Sequence, residues 1–452
     1  MSVPRQFNNG DLLVDPAGQT RKYQSADEGG DIDYIRTIRQ LVPRWGQMKL
    51  LLHEIWFLTH FADPIKHANS IVIYVGAAEG THIPFLVQMF PWISQWHLYD
   101  PRSFTFDQPG QQGQIGEWSN RVILHTGDNG KFTDQIAQEW LQQTIQEDRY
   151  IFFITDIRDL GMTDDVVPGV HLSQVEQTLE SNRLVDIDMR TQQQWYEILQ
   201  PRIAKASLKF RLPYPISQKE WEDSGRAEEN PYEPESFYEY LYGYMFKQPF
   251  TRPGSTETRL IPHNDDTGGI KRYSWNLKLY DQLMYYFTSQ QRPLELYTYP
   301  EVSGETMQKL MELVPEFRTY NLMIQSPGIS WDMASTIFIV AGYLDYADFD
   351  LETGLVPFIW AMLSNLNVVG YNRPPETFVR IKGGELYKEW NRTAVTLTSM
   401  TGVSPSWHPR AGTTWQLFLG QNPPTQSTMG VYRISPTDME RVQRPFQSKE
   451  RR

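Results

Sequence analysis

The chain has 452 residues, of which 40% are hydrophobic, 13% aromatic and 21% charged. This length exceeds one ordinary domain, and the low charged fraction excludes a mainly disordered protein. Cysteine is absent, which excludes a disulfide-stapled scaffold and a cysteine zinc site. The formal net charge is −12. Any nucleic-acid contact must therefore use a local basic groove, because phosphate binding needs positive charge.

The two ends of the sequence differ from the middle. Residues 1–30 are polar, lack periodicity and have no apolar signal core, so we expect a mobile arm rather than a secretory peptide. The longest apolar runs, Thr336–Leu344 and Leu355–Leu363, are too short to cross a bilayer. They predict buried segments of a protein without a membrane partner. Residues 436–452 are rich in Arg and Lys and are predicted to form a basic tail.

The first strongly periodic segment runs from Trp45 to Phe61. Its apolar residues recur at the spacing of one helix face, and they are Met48, Leu51, Leu52, Ile55 and Leu58. The segment therefore predicts an amphipathic helix. Lys49 lies off the apolar stripe.

Apolar runs then alternate with helical segments. The runs predicted as strands are Ile71–Val75, Trp96–Tyr99, Val122–His125, Tyr150–Thr155 and Ala206–Phe210, and Ser173–Leu199 is predicted as a helix. This alternation is typical of an α/β protein whose parallel sheet is covered on both faces. Ligands of such sheets bind beyond the carboxyl ends of the strands, where Asp100 and Asp156 stand.

The later part of the chain changes character twice. Residues 218–270 are rich in Pro, Gly and charge and predict long loops, with one late strand beginning at Glu257 and a helix from Trp275 to Phe287. Beyond residue 290 the helical segments are Glu305–Leu313, Asp332–Tyr343 and Pro357–Leu366. We therefore predict a core domain at 31–290 and a mainly helical accessory domain at 291–435.

A glycine-rich turn follows the first strand. The sequence GAAEG, from Gly76 to Gly80, lies between a buried strand and a helix, where glycines let the backbone approach a ligand closely. Asp100 ends the next strand and can accept hydrogen bonds from a ribose diol, and Asp128 follows the third strand and can face an adenine ring. This arrangement favours a binding site for S-adenosylmethionine. The alternative is that the glycines form a plain tight turn without a ligand and that Asp100 is a solvated carboxylate at a strand end. The GxxxG spacing disfavours a dinucleotide dehydrogenase, which has GxGxxG.

Six segments resemble, in order, segments of the poxvirus cap-specific mRNA 2′-O-methyltransferase family. They are GQMKLLLHEIWFL from Gly46, VIYVGAAEGTHI from Val72, FITDIRD from Phe153, ASLKFRLPYP from Ala206, STETRL from Ser255 and YDQLMYY from Tyr280. The resemblance spans about residues 34 to 290. It implies a Rossmann-like class I S-adenosylmethionine-dependent methyltransferase core. In poxviruses such a protein is also the processivity subunit of the poly(A) polymerase.

The resemblance implies a catalytic tetrad of Lys49, Asp156, Lys209 and Glu257. A ribose 2′-hydroxyl is a poor nucleophile, and a lysine can take its proton only if the lysine pKa falls well below the ordinary value near 10.4. Burial and a second cation both lower that pKa. Lys209 is then the base or proton-steering group, Lys49 helps to lower its pKa, and the two carboxylates hold the lysines. Without the resemblance, each of these four residues would be interpreted as a solvated charge at the surface.

Further site residues follow from the same resemblance. The residues implied to line the S-adenosylmethionine site are Gln47, Tyr74, Gly76, Gly80, His82, Asp100 and Arg102. Arg158 is implied to lie near the substrate ribose. The alternative is that Arg158 only forms an ion pair at the surface.

Cap recognition is implied by Tyr214 and Asp281. N7-methylguanine is positively charged and stacks well between aromatic rings, while a carboxylate accepts from the base edge. Tyr214 matches a stacking aromatic, Asp281 matches a family glutamate, and Tyr34 is a candidate second stacking partner. Two residues depart from the family pattern, since Ile216 replaces an acid and Gly254 an aromatic.

The sequence thus predicts an enzyme that methylates the first transcribed nucleotide of capped mRNA. The alternative is a non-catalytic processivity or structural subunit of a viral polyadenylation or transcription complex. The resemblance implies capped mRNA and a viral poly(A) polymerase as partners. It also implies a location in the host cytoplasm or the virion.

Overall fold

The computed structural model describes residues 4–16, 45–90, 92–107, 121–158, 174–251, 255–292, 295–313, 328–347 and 349–366. Its strands are β1 (Arg5–Gln6), β2 (Leu13–Val14), β3 (Ile71–Val75), β4 (Gln95–Tyr99), β5 (Val122–His125), β6 (Ile151–Thr155), β7 (Ile203–Phe210), β8 (Phe237–Leu241), β9 (Gly243–Phe246), β10 (Thr258–Pro262), β11 (Arg272–Asn276), β12 (Leu296–Thr298) and β13 (Ile329–Ser330). Its α-helices are α1 (Asn9–Leu12), α2 (Trp45–Phe61), α3 (Ile83–Met89), α4 (Asp134–Gln146), α5 (Gln174–Leu199), α6 (Gln218–Asp223), α7 (Leu277–Tyr286), α8 (Gly304–Leu313), α9 (Trp331–Tyr346) and α10 (Leu351–Asn365).

A mixed sheet of eight strands forms the centre of the molecule, in the order β2-β9-β10-β7-β6-β3-β4-β5. The strands from β5 across to β7 pair in parallel, and β10, β9 and β2 then pair antiparallel. Counted along the chain, the parallel strands lie in the spatial order 3-2-1-4-5. This order reverses between β3 and β6, and ligands of open α/β sheets bind at such a point.

Helices cover both faces of the parallel strands. Phe152 and Phe153 are neighbours in β6 and point to opposite faces. The ring of Phe152 lies 6.3 Å from Phe57 of α2, and the ring of Phe153 lies 6.1 Å from Phe132. Phe132 in turn contacts Trp195 of α5 at 5.0 Å. Burial on both faces explains why the predicted strands are continuous apolar runs.

The helices beyond residue 290 pack on the same core. The hydroxyl of Tyr343 in α9 donates to the carbonyl of Met89 at 3.0 Å, and that of Tyr346 donates to the carbonyl of Ala62 at 3.1 Å. One hydrophobic cluster joins the sheet, α2 and α9. The division at residue 290 stays a prediction, but the described helices on its two sides do not have separate cores.

The predicted mobile arm is partly a packed segment. Arg5–Gln6 pairs with β12, and Leu13–Val14 pairs with β9 at the edge of the central sheet. Phe7 and Leu12 are buried between these strands. This part of the prediction is wrong for residues 4–16 because two-residue strands are too short to show periodicity. Residues 17–44 and the predicted basic tail lie outside the described residues.

Of the described antiparallel strands, β10 was predicted and the others were not. Phe237–Leu241 and Gly243–Phe246 fall in the stretch predicted as loops. Trp275 belongs to β11, so the helix predicted from Trp275 begins at Leu277, where Asn276 caps it. The helix predicted from Pro357 begins six residues earlier, at Leu351, and the other predicted strands and helices are confirmed within about three residues. Among the described helices, none has both the length and the apolar character that a bilayer crossing requires.

Candidate active site

Four elements bring the predicted tetrad together. Lys49 lies in the first turns of α2, and Asp156 directly follows β6 at the edge where the parallel strands end. Lys209 lies near the end of β7, and Glu257 directly precedes β10. Because β10 runs antiparallel to β7, with Thr258 opposite Phe210, the start of β10 lies beside the end of β7.

Lys209 is held between two carboxylates. Its Nζ donates to Oδ1 of Asp156 at 2.8 Å and lies 3.8 Å from Oε2 of Glu257. The other oxygen of Glu257 accepts from Nζ of Lys49, and Oε2 also accepts from the guanidinium of Arg158. The structure therefore brings Lys49, Asp156, Lys209 and Glu257 into one ionic network that also contains Arg158.

Arg259 is part of this network and was not predicted. Its side chain is 1% exposed, and its Nη2 donates to Oδ1 of Asp156 at 2.8 Å. Its other Nη atom donates to the carbonyl of Thr155. A charged residue two positions after Glu257 in an otherwise apolar strand was the only sequence signal for it.

A second set of hydrogen bonds fixes the backbone at Lys209. The hydroxyl of Thr155 accepts from the backbone N–H of Lys209 at 3.2 Å and donates to Oε1 of Gln192 at 2.6 Å. The amide of Gln192, in α5, donates to the carbonyl of Lys209 at 2.5 Å. These contacts lock β7 against β6 and α5 where the lysine side chain leaves the strand.

The charges of the network shift its pKa values. Burial lowers the pKa of Lys209 to about 8, and Arg158 and Lys49 add to this against the opposing effect of Asp156 and Glu257. Burial alone would raise the pKa of Glu257, but the nearby cations, with Lys209 and Lys49 foremost, hold that pKa well below its ordinary range. Likewise the pKa of Asp156 is lowered, since Lys209 and Arg259 outweigh its burial. The site therefore combines ionised carboxylates with a lysine that titrates near neutral pH.

A cavity of about 170 Å³ opens beside the network. Lys209, Arg158 and Glu257 line one side of it, and Ser181 and Gln192 of α5 line the other. This volume is below the roughly 300 Å³ of pockets for drug-sized ligands. It can therefore admit one small part of a larger substrate next to the Lys209 amine.

The glycine-rich turn meets Asp156 at the point where the strand order reverses. Gly76 has a φ of +79°, and a Cβ there would lie 2.6 Å from the backbone carbonyl carbon of Asp156. Only glycine permits both this conformation and this approach. Gly80 also has a positive φ, of +67°. The turn and the tetrad are thus adjacent.

Asp100 lies at the end of β4 with a side chain that is 3% exposed. Its carboxylate accepts from the backbone N–H of Ala78 at 3.1 Å and of Arg102 at 2.9 Å. The Arg102 guanidinium, 68% exposed, also donates to it at 3.0 Å. Asp100 and Arg102 are therefore brought to the glycine-rich turn.

Three other residues predicted to line the cofactor site differ in their burial. Tyr74 and His82 are fully buried, behind the turn rather than at its surface. Gln47 is half-buried, with its side-chain oxygen 2.7 Å from Nδ1 of His82. Of the three, Gln47 alone is accessible.

Asp128 is not brought into contact with the turn. Its side chain is 97% exposed and pairs with Lys131 at 2.9 Å. The loop after β5 approaches β4 through Gly130 instead, where a Cβ would lie 2.3 Å from the carbonyl oxygen of Asp100. The sequence prediction did not include Gly130, because its close contact exists only in the folded chain.

The predicted cap residues are only partly described. Tyr214 is half-exposed, and Asn182 of α5 accepts from its N–H at 2.7 Å and donates to its carbonyl at 2.9 Å. The Arg211 guanidinium lies 4.4 Å from the centre of the Tyr214 ring. Asp281 lies in α7, where burial raises its pKa. Ile216 is buried.

Tyr34 and Gly254 lie outside the described residues. The second stacking partner of the expected cap pocket therefore stays a prediction.

Comparison with known proteins agrees with the resemblance. A family model described as the poly(A) polymerase regulatory subunit matches residues 23–307. The cap-specific mRNA (nucleoside-2′-O-)-methyltransferase of Fowlpox virus is 26% identical over 273 residues, which cover 58% of this chain and 74% of the relative. The protein of the same name from Myxoma virus, strain Lausanne, is 27% identical over 256 residues, or 55% of this chain and 62% of the relative. The chain thus spans less than two thirds of the Myxoma protein. Since the family model covers more than half of the sequence, the chain belongs to the poly(A) polymerase regulatory subunit family.

Proposed function

We propose that the chain is an S-adenosylmethionine-dependent methyltransferase that modifies the ribose 2′-hydroxyl of the first transcribed nucleotide of capped mRNA, converting cap 0 to cap 1. The observation that carries this proposal is the ionic network of Lys49, Asp156, Lys209 and Glu257 beside a cavity. A lysine whose pKa is about 8 is close to the value at which a general base is most effective near neutral pH. The names of the poxvirus relatives support the same reaction.

We propose further that the sheet is a Rossmann-like class I methyltransferase core, with the mainly helical segment after residue 290 as an addition. The parallel strand order 3-2-1-4-5 supports this assignment. The donor set at the reversal of strand order fits S-adenosylmethionine. The turn from Gly76 to Gly80 lets the backbone approach a ligand without a side chain, Asp100 offers a carboxylate for a ribose diol in place of the exposed Arg102 guanidinium, and Gln47 offers a side-chain amide.

When bound, S-adenosylmethionine supplies an electrophilic methyl group on its sulfonium sulfur. The acceptor oxygen must lose its proton as the new bond forms, and the Lys209 amine is the group placed to take or steer that proton. Asp156 and Glu257 hold this amine at the edge of the cavity. Lys49 and Arg158 in turn fix Glu257. Such positioning is a large part of the catalysis, because methyl transfer depends on alignment.

The cap-specific part of the proposal rests on Tyr214 and Asp281. The half-exposed ring of Tyr214 is held through its backbone by Asn182, so a flat cationic base can stack on a fixed surface. The raised pKa of Asp281 indicates a carboxyl group in a weakly hydrated position. Ile216 cannot accept a hydrogen bond from its side chain, so we propose that the guanine edge is read by Asp281.

Tritium transfer tests this function. Wild-type protein, labelled S-adenosylmethionine and cap 0 RNA should give labelled RNA, and Lys209→Ala should lower kcat at least about 100-fold, the lower limit for loss of a general base. Lys219→Ala is the matched control, because this exposed lysine pairs with Asp223 on its own helix. It should keep full activity.

The position of the methyl group is the second part of the test. RNA with a 2′-deoxyribose at the first transcribed nucleotide should accept no label, and uncapped RNA should accept much less than capped RNA. Full activity of Lys209→Ala, or equal labelling of the deoxy substrate, would overturn the proposal.

The alternative function is a non-catalytic subunit of a viral polyadenylation or transcription complex. The description of the matching family as a poly(A) polymerase regulatory subunit favours it. Co-purification with a polymerase that elongates poly(A) faster in its presence would support this role. If calorimetry detected no binding of S-adenosylmethionine, the methyltransferase role would be excluded and the role as a non-catalytic subunit would remain.

We propose a viral source and a site of action in the host cytoplasm or the virion, with capped mRNA and a viral poly(A) polymerase as partners. The relatives from Fowlpox and Myxoma viruses support this assignment. Immunofluorescence of infected cells would test it, and exclusive nuclear staining would contradict it.

A further inference from the structure

A fully buried contact between a histidine and a glutamate lies behind the glycine-rich turn. Nε2 of His82 lies 2.9 Å from Oε2 and 3.1 Å from Oε1 of Glu54, and the two side chains are 0% and 1% exposed. Neither residue forms a salt bridge with the described residues of the Lys209 network, although Glu54 acts on the charge of Arg259. A buried carboxylate is costly unless it is paired and hydrogen-bonded, so this pair needs a structural or functional reason.

The pair connects two segments that would touch the cofactor. Glu54 lies two helical turns after Gln47 on α2, and His82 follows Gly80 at the start of α3. The opposite ring nitrogen of His82, Nδ1, lies 2.7 Å from the side-chain oxygen of Gln47. The imidazole ring thus joins α2 to the end of the glycine-rich turn, with an acceptor oxygen on each side.

Gln47 is the accessible end of this chain of contacts. Its amide oxygen faces the buried ring, whereas its side chain as a whole is half-buried. The amide nitrogen is bonded to the same carbon as this oxygen, so the contact with His82 also fixes the direction of the two N–H groups. Two N–H donors in a fixed orientation suit a carboxylate ligand.

We propose that Glu54 and His82 are positioning residues that fix the amide of Gln47, so that its N–H groups bind the carboxylate of the amino-acid moiety of S-adenosylmethionine. This inference rests on the proposed function. His82 itself does not touch the cofactor, although the sequence predicted that it lines the site. It acts through Gln47, and Glu54 sets the orientation of its ring.

A double-mutant cycle with S-adenosylhomocysteine as the probe tests the proposal. Calorimetry should show that Gln47→Ala weakens binding about tenfold and Glu54→Gln roughly fivefold, since each removes or loosens one charge-assisted hydrogen bond. The double variant should bind no more weakly than Gln47→Ala, because Glu54 acts only through Gln47. Glu222→Gln, an exposed glutamate of α6, is the matched control and should leave the affinity unchanged.

Two readouts separate positioning from a general loss of structure. The KM for capped RNA should stay unchanged in Glu54→Gln while the KM for S-adenosylmethionine rises. If Glu54→Gln does not fold by circular dichroism, His82→Gln takes its place in the cycle, because it keeps a polar group between the other two residues. Additive effects of the two substitutions would overturn the inference and leave the proposed function intact. Absence of S-adenosylhomocysteine binding by the wild type would overturn both.

Discussion

At the scale of single residues, the amine of Lys209 lies among two carboxylates and two further cations. Asp156 and Glu257 are the carboxylates, while Lys49 and Arg158 are cations that share Glu257. Burial is the largest cause of the lowered pKa of Lys209, and the two cations add to it. The site therefore favours a neutral amine at a pH where a surface lysine stays charged.

This environment leads to a pH prediction. The amine accepts a proton only when it is neutral, so kcat should rise with pH and level off above the Lys209 pKa of about 8. Below that pKa, kcat should fall about tenfold per pH unit. Initial rates of methylation across the neutral and alkaline range measure this profile. A kcat that does not change through pH 8 would contradict it.

Much of this site could be predicted from the sequence, and the limits have physical reasons. Asp156 was expected at a strand end because the carboxyl ends of parallel strands meet at one edge. The inward position of His82 and the contact of Arg259 with Asp156 could not be predicted. Both depend on which buried partner lies opposite in the folded chain, and spacing along the sequence does not contain that information.

At the scale of elements, the turn after β3 combines a left-handed conformation with a close backbone contact. Gly76 has both features, whereas Gly127 has a φ of +60° and nothing within 4 Å of where its Cβ would be. Substitution of Gly127 therefore measures the free-energy cost of the left-handed conformation alone, whereas substitution of Gly76 adds the cost of the backbone contact.

Alanine substitution tests this difference. Gly127→Ala should cost about 1–2 kcal/mol, the cost of a left-handed conformation. Gly76→Ala should lower the melting temperature much more, because its Cβ would lie 2.6 Å from the backbone of Asp156. It should also abolish methyl transfer by displacing Asp156. Thermal unfolding by circular dichroism measures both variants, and equal losses would show that the contact relaxes freely.

The elements themselves were predictable to different degrees. The five parallel strands were predicted because burial on both faces makes them continuous apolar runs. Of the described antiparallel strands, β10 alone was predicted. Phe237 in β8 is 65% exposed, and its strand lies in an acidic, proline-containing stretch. A strand that faces solvent has no continuous apolar run in its sequence. Its extended conformation depends on pairing with β11, which the sequence pattern does not show.

At the scale of the whole molecule, a buried ion pair connects the two parts of the chain. Arg292 follows the sheet and its last helix, and its guanidinium donates to the Asp332 carboxylate of α9 at 3.0 and 2.6 Å. It also donates to the carbonyl of Thr251 at 2.7 Å. Both charged side chains are at most 3% exposed. The pair fixes α9 against the segment that follows β9.

Removing one partner should be strongly destabilising. Arg292→Met leaves the Asp332 charge buried without its cation, so we expect a loss of about 3–5 kcal/mol in the free energy of unfolding. Arg272→Met is the matched control, because Arg272 makes a half-exposed pair with Glu197, and loss of such a pair costs at most about 1 kcal/mol. Urea denaturation measures both. A small effect of Arg292→Met would indicate that the segment beyond residue 290 is held independently of this pair.

The short strands near the start of the chain have a consequence for synthesis on the ribosome. Arg5 pairs with Tyr297, and Leu13 pairs with Phe246. These short strands therefore leave the ribosome long before their partners, which are made after all the parallel strands. Pairings of such sequence separation form slowly. Until β9 and β10 have been made, the edge of β7 is unpaired, and this is the period in which the nascent chain is most exposed to aggregation.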